Sequence, residues 1–334
     1  MVQRYGAAVL HLRLIIPEDL VAAVLALLAA HPAVTNVTAL PGAGHQPKGD
    51  LITADVAREA ASDVLGRLRG LGLRERGSIA VEAVDLSLSA GAEQAEAKAP
   101  GYGSDAVVWE DLEARVRADS SLSVGYLVFF GIATMLAGIA VLLDSAILVV
   151  GAMIVGPEYG PLAGLCIGLL LRRLDVVRRS ALALAVGFAV GIAVTVVFTL
   201  MLGSGTLVEE AMLTRDRPQT GFIYEPDPLS FVVAFLAGIA GMVALTAAKS
   251  GAVLGVLVSV TTIPAAGNMA VALAFSATTG SASARRQYLD QALTSAGQLL
   301  LNLLGIVLAG VLALFVQRLA WKHVRHFDPT ETAT

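Results

Sequence analysis

The sequence contains few of the residues from which catalytic and metal centres are built. Cys166 is the single cysteine, so the chain can form neither an internal disulfide nor a cysteine cluster around a metal. The five histidines all lie outside the long apolar stretches, at His11, His31, His45, His323 and His326. No paired nucleophile and base stands out. We therefore expect no catalytic residue, no metal site and no cofactor, and we do not expect an enzyme.

Charged residues are also scarce, at 15% of the 334 residues, against 56% hydrophobic residues and a mean hydropathy of +0.74. Soluble domains usually carry about a quarter charged residues. A single soluble globule of this composition would leave large apolar areas exposed to water. The composition therefore excludes an ordinary cytosolic protein, a disordered chain and a nucleic-acid-binding protein, and it indicates the lipid bilayer as a partner.

The charge is concentrated in the first third of the chain. Residues 1–121 hold 27 of the 50 charged side chains and a net charge of −5, whereas residues 122–334 carry a net charge of +1. We therefore predict a soluble domain followed by a membrane domain. The predicted boundaries are a ferredoxin-like cytoplasmic domain over 1–90, a linker and amphipathic interfacial helix over 91–121, membrane repeat 1 over 122–203, an extracytoplasmic loop over 204–228, membrane repeat 2 over 229–320 and a cytoplasmic tail over 321–334.

Periodicity in the N-terminal domain predicts an α+β fold. Apolar residues alternate in four short stretches and recur at helical spacing in two longer ones. The predicted elements are strands at 7–16, 33–40, 50–56 and 78–88, a break at Pro41–Gly44, and helices at 18–30 and 58–71. The order β-α-β-β-α-β is the ferredoxin-like arrangement. That fold serves many functions, so a packing module and a binding site for a small regulatory molecule both stay open.

The stretch between the two domains has two parts. Residues 90–104 are interpreted as a linker because of their composition. A short amphipathic helix is predicted at 108–118, whose apolar face contains Val108, Trp109, Leu112 and Val116. Trp109 beside a membrane segment fits an interfacial anchor, and a helix that packs between subunits is the alternative. We expect a homo-oligomer.

Six apolar segments are each long enough to cross a hydrocarbon core of about 30 Å. They lie at 122–143, 145–171, 180–203, 229–248, 251–275 and 296–317. If all six span, most of the flanking Lys and Arg residues fall on one side, which places both termini in the cytoplasm of a prokaryotic cell. A re-entrant hairpin at 145–171 would put the four arginines between 172 and 179 on the opposite side. We therefore favour six full spans over re-entrant loops.

The two halves of the membrane domain resemble each other. Three short motifs recur in the same order, and the pairs are Ala137–Ala140 with Ala237–Ala240, Pro161–Gly164 with Pro264–Gly267, and Arg172–Asp175 with Arg285–Asp290. Each half would hold three spans, an odd number, so the second half would be inverted relative to the first. Such 3+3 inverted repeats are typical of transporters and of some channels.

Two of the segments contain residues that interrupt a helix. Two prolines and two glycines fall within residues 156–161, and a second interruption lies at the matching place, residues 259–268. Backbone groups freed in lipid must face protein or water, and paired interruptions indicate a binding site near the membrane midplane. The candidate substrate- or ion-binding residues are Gly156, Pro157, Glu158, Tyr159, Gly160, Pro161, Ser259, Thr261, Thr262, Pro264, Asn268 and Asn302.

Glu158 is the only acidic residue within either interruption. An ionisable residue inside a membrane segment is a functional hypothesis by default, because its charge is costly there. Glu158 is therefore the candidate proton-coupling group. The structural alternative is a carboxyl that caps freed amide groups or faces an aqueous vestibule, and for each hydroxyl or amide candidate alone the alternative is a hydrogen bond between helices.

The run Gly151–Gly164 resembles the signature of a prokaryotic family described as an uncharacterised hydrophobic domain, a domain of unknown function. That signature reads approximately Gly-Ala-Met-Leu-Ile-Ser-Pro-Leu-Met-Gly-Pro-Ile, and the second interruption resembles the family's later Leu-Pro-Pro motif. The resemblance covers roughly residues 120–320 and implies a membrane location without a substrate. This chain departs from the pattern at Gly156, Glu158 and Ala265, where the family has Ser, an apolar residue and a second Pro.

Two functions are compatible with these features. The first is a transporter or permeation protein for a small solute or ion, with its site at the two interruptions and with proton coupling through Glu158. The second is a membrane sensor or scaffold without transport activity, whose N-terminal domain binds a metabolite or a partner. A pore without coupling is a variant of the first.

Overall fold

The computed structural model describes residues 9–84, 86–99, 107–204, 209, 211–223, 228–247 and 261–324. The chain divides into two compact units. The N-terminal unit is built mainly on residues up to Leu112, and the apolar unit contains residues 113–245 together with the described residues 261–318. The division into a charged N-terminal part and an apolar part therefore corresponds to two separately packed units.

The N-terminal unit contains a four-stranded sheet in the order β2-β3-β1-β4, in which every pair of neighbouring strands is antiparallel. Its strands are β1 Val9–Ile16, β2 Val34–His45, β3 Lys48–Ala57 and β4 Ser78–Ala83. Its helices are α1 Glu18–Ala30, α2 Ala61–Gly70, α3 Leu73–Arg76 and α4 Ala90–Lys98, and a 3-10 turn at Arg58–Ala60 precedes α2. Up to β4 this is the predicted order β-α-β-β-α-β.

Strand alternation builds the core of the N-terminal unit. Leu12 and Leu14 of β1 are fully buried. His11 and Arg13, which alternate with them along the strand, point to the other face of the sheet. The buried strand face packs in one cluster with α1 and α2, whose contributing side chains are Val24, Leu28, Val64, Leu65 and Leu68. Removing these side chains from water stabilises the unit by the hydrophobic effect.

Three details of this unit differ from the prediction. Strand β2 continues through Pro41–Gly44, because a shift in its pairing with β3 between Leu40 and Gly44 absorbs the irregular residues. Strand β4 ends at Ala83, five residues earlier than predicted. Helix α4 lies within the predicted linker. At its start, the backbone N–H of Ala92 donates to the Ser89 hydroxyl, and the Ala92 side chain is buried. Alanine has a high helix propensity, so this alanine-rich stretch forms a helix when one of its faces packs against the rest of the unit.

The rest of the described chain is helical, apart from short connections. The helices are α5 Trp109–Asp119, α6 Val124–Leu143, α7 Ala146–Val155, α8 Tyr159–Leu170, α9 Leu174–Ser204, α10 Ala211–Thr214, α11 Pro228–Thr246, α12 Thr262–Thr278 and α13 Ala282–Val324, with a 3-10 turn at Gly221–Ile223. Helix α5 agrees with the predicted amphipathic helix, since Val108, Leu112 and Val116 are all buried. The region predicted as a loop, 204–228, contains α10 and the 3-10 turn among its described residues.

Four helices are long and apolar enough to cross a membrane, and α7 with α8 makes a fifth span if the bent pair counts as one. The four are Val124–Leu143, Leu174–Gly203, Pro228–Thr246 and Ala282–Ala320. The remaining predicted segment, 251–275, is described only from residue 261 onward, where α12 begins. The described residues thus show a membrane protein with four to five candidate spans, and six spans stay a prediction.

Helices α6 and α12 cross in close contact at two glycines. A Cβ atom on Gly267 would lie 2.6 Å from Ala137 Cβ and 2.8 Å from the backbone nitrogen of Gly138. A Cβ atom on Gly138 would in turn lie 3.1 Å from Val271 Cγ2. Small residues permit this approach of two backbones, as they do at helix crossings in membranes. The crossing positions the start of α12, five residues before Gly267, relative to α6.

This crossing generates a stability prediction. Replacing Gly267 by Ala forces a methyl group into the contact with Ala137, and we expect a loss of about 1–3 kcal/mol in the free energy of unfolding. The matched control is Gly151→Ala in α7, where an added Cβ meets no atom within 4 Å. We expect that control to change stability by less than about 0.5 kcal/mol. Unfolding in mixed detergent micelles, followed by circular dichroism, measures both; equal losses would contradict the crossing.

Candidate functional site

The first predicted interruption is present between α7 and α8. Helix α7 ends at Val155, α8 begins at Tyr159, and the two axes differ by 57°. Gly156 is extended, with φ −64° and ψ 128°. Pro161 lies in the first turn of α8, where a backbone N–H would have no partner within the helix, so the helix can begin around it.

The carboxyl group of Glu158 is buried in this interruption. The residue is 2% exposed, and the hydroxyl of Thr262 donates to Glu158 Oε1 at 3.0 Å. Its other oxygen, Oε2, is buried and accepts no hydrogen bond from any described residue. Thr262 is the first residue of α12. The break between α7 and α8 therefore contacts the start of α12 through Glu158. The second predicted interruption, 259–268, is wrong for residues 262–268, which are helical, because Pro264 lies in the first turn of α12 where its missing N–H costs no helical hydrogen bond.

Gly156 provides the space into which this carboxyl folds. A Cβ atom on Gly156 would collide with Glu158 Oε2 and would lie 2.8 Å from Ile263 Cγ1 of α12. Any side chain here would therefore displace either the carboxyl or the start of α12. The glycine thus makes room for the contact between Glu158 and the start of α12, in addition to its place in the bend.

Two helix N-termini converge on Glu158. The residue directly precedes α8, and its partner Thr262 opens α12. The free N–H groups at such a terminus carry roughly half a positive elementary charge. Among the described residues, Glu158 forms no ion pair with Lys or Arg, so these dipoles and one hydroxyl provide its polar surroundings. The arrangement tolerates a carboxylate without neutralising it.

A second set of hydrogen-bonded polar side chains lies next to this contact and includes residues of α13. Asn302 Nδ2 donates to Thr261 Oγ1 at 2.7 Å, next to Thr262. Gln298 Nε2 donates in turn to Asn302 Oδ1 at 3.4 Å. Asn302 and Gln298 are 1% and 0% exposed, and Gln298 Oε1 has no hydrogen-bond partner among the described residues. The cluster thus contains two buried oxygens without donors, one on Glu158 and one on Gln298.

These α13 residues belong to a longer polar stripe, which we define as Gln291, Ser295, Gln298 and Asn302. Their spacing of four, three and four residues puts them on one helix face. Asn268 of α12 donates to Ser295 Oγ at 2.7 Å, and Arg217 Nη1 donates to Asn268 Oδ1 at 3.0 Å. The described part of the apolar unit therefore contains two separate sets of hydrogen bonds between α12 and α13, one that includes Arg217, Asn268 and Ser295 and one that includes Thr261, Asn302 and Gln298.

The structure brings some of the predicted site residues together and separates others. Glu158, Thr261, Thr262 and Asn302 form one cluster, whereas Asn268 bonds to Arg217 farther along α12. The Tyr159 hydroxyl instead donates to the backbone carbonyl of Gly241, at 2.5 Å. Of the remaining predicted residues, Pro157 is half-buried beside Glu158, Gly160 packs against Asp119, Pro161 and Pro264 are buried within α8 and α12, and Ser259 lies outside the described residues.

Sequence reasoning missed Arg217 and most of the polar stripe. Arg217 counted as a charge of an extramembrane loop, but its side chain is 3% exposed and reaches α12. Gln291 and Ser295 were missed because the predicted sixth segment began at residue 296, whereas α13 begins at Ala282. The helical spacing of the four polar residues is the signal that could have revealed the stripe.

The contact between Thr262 and Glu158 can be measured by a double-mutant cycle. We expect Thr262→Val and Glu158→Leu to show a coupling free energy of about 1–3 kcal/mol, because the valine removes the one described donor to the carboxyl. The control cycle pairs Thr262→Val with Thr134→Val, a buried hydroxyl of α6 that donates to backbone carbonyls and shares no described hydrogen-bond partner with Thr262. Those two changes should add to within about 0.5 kcal/mol. Additivity in both cycles would show that the Thr262–Glu158 contact does not form.

Comparison with known proteins places the site inside a matched domain. A family model described as Domain of unknown function (DUF389) matches residues 153–308. Neither the curated proteins nor the solved structures contain a match to the chain. The matched segment begins near the end of α7 and ends within α13, so it includes the Glu158 cluster and the polar stripe. The resemblance found in the sequence is therefore confirmed, and residues 153–308 of this chain match the model of that domain of unknown function.

Proposed function

We propose that the protein is an integral membrane transporter or permeation protein for a small solute or ion, with its site at the two interrupted segments and with proton coupling through Glu158. One observation carries this proposal. A carboxyl group that is 2% exposed keeps one oxygen without a donor among the described residues, at the point where the break between α7 and α8 contacts the start of α12. The six-span inverted repeat and a prokaryotic plasma membrane with both termini in the cytoplasm belong to the same proposal.

The contact between the α7–α8 break and the start of α12 supports the inverted repeat. In transporters with such repeats, corresponding helices of the two halves are interrupted near the midplane, and the ends of their half-helices face a common site. Here α8 begins at Tyr159 and α12 at Thr262, and a hydrogen bond joins the residues at those two starting points.

The cost of burying a charge supports the coupling role. An ionised carboxylate in an apolar interior is destabilising unless it is paired or neutralised. One hydroxyl and two helix termini offset part of this cost, and a proton or a bound cation would remove the charge. A group with two such alternatives can tie the uptake of a proton to the release of another species, which is what a coupled transporter requires.

The polar stripe supports permeation. From Gln291 to Asn302, α13 rises about 16 Å, roughly half of a hydrocarbon core of about 30 Å. Polar side chains at these depths are expensive in lipid and are typical of solute and ion pathways. Hydrogen bonds connect Ser295 of the stripe, through Asn268, to Arg217 in the connection between α9 and α11, and they connect Asn302 to Thr261, next to Thr262. The stripe therefore offers a polar route from one end of the bundle to the site.

Proton flux tests this proposal. The full-length protein is reconstituted into liposomes that contain a pH-sensitive dye, and a pH gradient is applied with Na⁺, K⁺, chloride or phosphate as external probe. We expect protein-dependent proton movement with at least one of these ions, and we expect E158Q to reduce it by at least about tenfold, since the amide can no longer exchange a proton. The matched control is Asp290→Asn, which makes the same chemical change at an exposed position of α13.

The outcomes separate the two parts of the proposal. Flux in the wild type that persists unchanged in E158Q would refute the coupling role of Glu158 and leave a permeation protein. Absence of protein-dependent flux with all four probes would refute transport of these ions or of protons and would favour the membrane sensor or scaffold. Equal losses in E158Q and Asp290→Asn would show that the effect does not depend on the buried carboxyl.

A further inference from the structure

We propose that residues 211–223, which we call the cover, form a lid over one end of the polar stripe, and that Asp144 holds this lid closed. The inference rests on the proposed function, because it names the element that controls access to the same route. It adds that a solute reaches the stripe from this side only after the cover moves. Its foundation is that this part of the connection between α9 and α11 folds into the apolar unit and bonds to a neighbour of the stripe.

The cover is packed into the apolar unit near both of its ends. Leu213 in α10 and Ile223 in the 3-10 turn are 2% and 0% exposed, and both belong to the hydrophobic cluster of this unit. Between them, the backbone N–H groups of Thr220 and Gly221 donate to the carbonyl of Arg217 at 3.3 and 2.8 Å. The cover is therefore a folded element, whereas the sequence predicts a solvated loop here.

Arg217 brings the cover into contact with the polar stripe. Its side chain is 3% exposed, and its Nη1 donates to Asn268 Oδ1 at 3.0 Å. Gln291 Nε2 of the stripe donates to the same oxygen at 3.3 Å, and Asn268 Nδ2 donates to Ser295 Oγ at 2.7 Å. One amide group thus bonds both to the cover and to two residues of the stripe. Ser295 is 0% exposed in this closed arrangement.

Asp144 fastens the cover to the end of α6. The residue follows the last turn of that helix, and its Oδ1 accepts from the Thr220 hydroxyl at 2.8 Å and from the backbone N–H of Gln219 at 3.2 Å. Arg215 Nη2 also donates to the backbone carbonyl of Leu142, at 2.8 Å. Because Asp144 is only half-buried, water can replace the bonds to its carboxylate, and their loss has a small net cost.

The burial of a guanidinium group favours a cover that can open. Removing a charged group from water is costly even where it is hydrogen-bonded or paired, and an apolar side chain of similar volume is often the more stabilising choice. Opening would return the charge of Arg217 to water, so the closed arrangement depends on the apolar contacts of the cover and on its bonds to Asp144. Loss of those bonds should therefore shift the population toward the open arrangement.

Thiol accessibility tests the inference without requiring transport. Ser295→Cys is made in the full-length protein that also carries Cys166→Ala, and the protein in lipid nanodiscs reacts with a small, charged methanethiosulfonate. We expect slow modification because position 295 is buried, and we expect Asp144→Gly to accelerate it at least about tenfold. Glycine suits position 144 because the backbone there is left-handed, with φ 51°. Thr220→Val removes one bond, keeps the shape of the side chain and should accelerate modification about threefold.

Two controls separate opening of the cover from general loosening of the bundle. Asp216→Gly removes an exposed carboxylate from the same cover and should leave the rate within about twofold. The native thiol of Cys166 is buried in α8, and with Ser295 intact it should react no faster in Asp144→Gly than in the wild type. The inference is overturned if Asp144→Gly and Thr220→Val leave the rate at position 295 unchanged, or if Cys166 is accelerated by the same factor.

The flux assay above separates this inference from the proposed function. Glu158-dependent proton flux together with unchanged accessibility at position 295 would overturn the role of the cover and leave the proposed function standing. Accessibility that rises on loss of the Asp144 carboxylate, without flux for any probe, would support the cover and count against transport.

Discussion

The apolar unit depends on accommodating one carboxyl group that is almost completely buried. Glu158 lies in the gap between α7 and α8, and its position requires three neighbours that the chain supplies at distant points. Gly156 leaves room for Oε2, Thr262 donates to Oε1, and the contact of Gly267 with Ala137 and Gly138 holds the start of α12 nearby. Gly156 and Thr262 contact the carboxyl directly, whereas Gly267 acts through the packing of α12 against α6.

The features predicted correctly are those with a local signal. Prolines and glycines within an apolar run interrupt a helix wherever the run lies, so the break at 156–158 follows from short-range chemistry. Alternation of Leu12 and Leu14 with polar residues likewise determines the buried face of β1. Even the approach of Asn302 to the interruption could be anticipated, because few polar residues lie within that apolar segment.

The features that were missed depend on contacts between distant residues. The burial of Arg217 could not be inferred from a charge count, because its partner Asn268 is 51 residues away. Strand β2 crosses Pro41 because its pairing with β3 outweighs a local turn signal, and α4 forms where composition predicts a linker because Ala92 is buried within the folded unit. The role of Gly156 has the same character, since it is the Oε2 atom of Glu158 that makes a side chain impossible there.

Infrared difference spectroscopy of Glu158 tests the central claim most directly, namely that this buried carboxyl gains and loses a proton within the folded protein. The full-length protein in lipid is titrated with pH, and the spectrum of E158Q is subtracted to isolate the band of this one carboxyl. The account predicts a C=O band of a protonated carboxyl in an apolar environment at low pH, which is replaced by carboxylate bands as the pH rises. A carboxyl that stays in one protonation state across the whole range in which the protein is folded would contradict it.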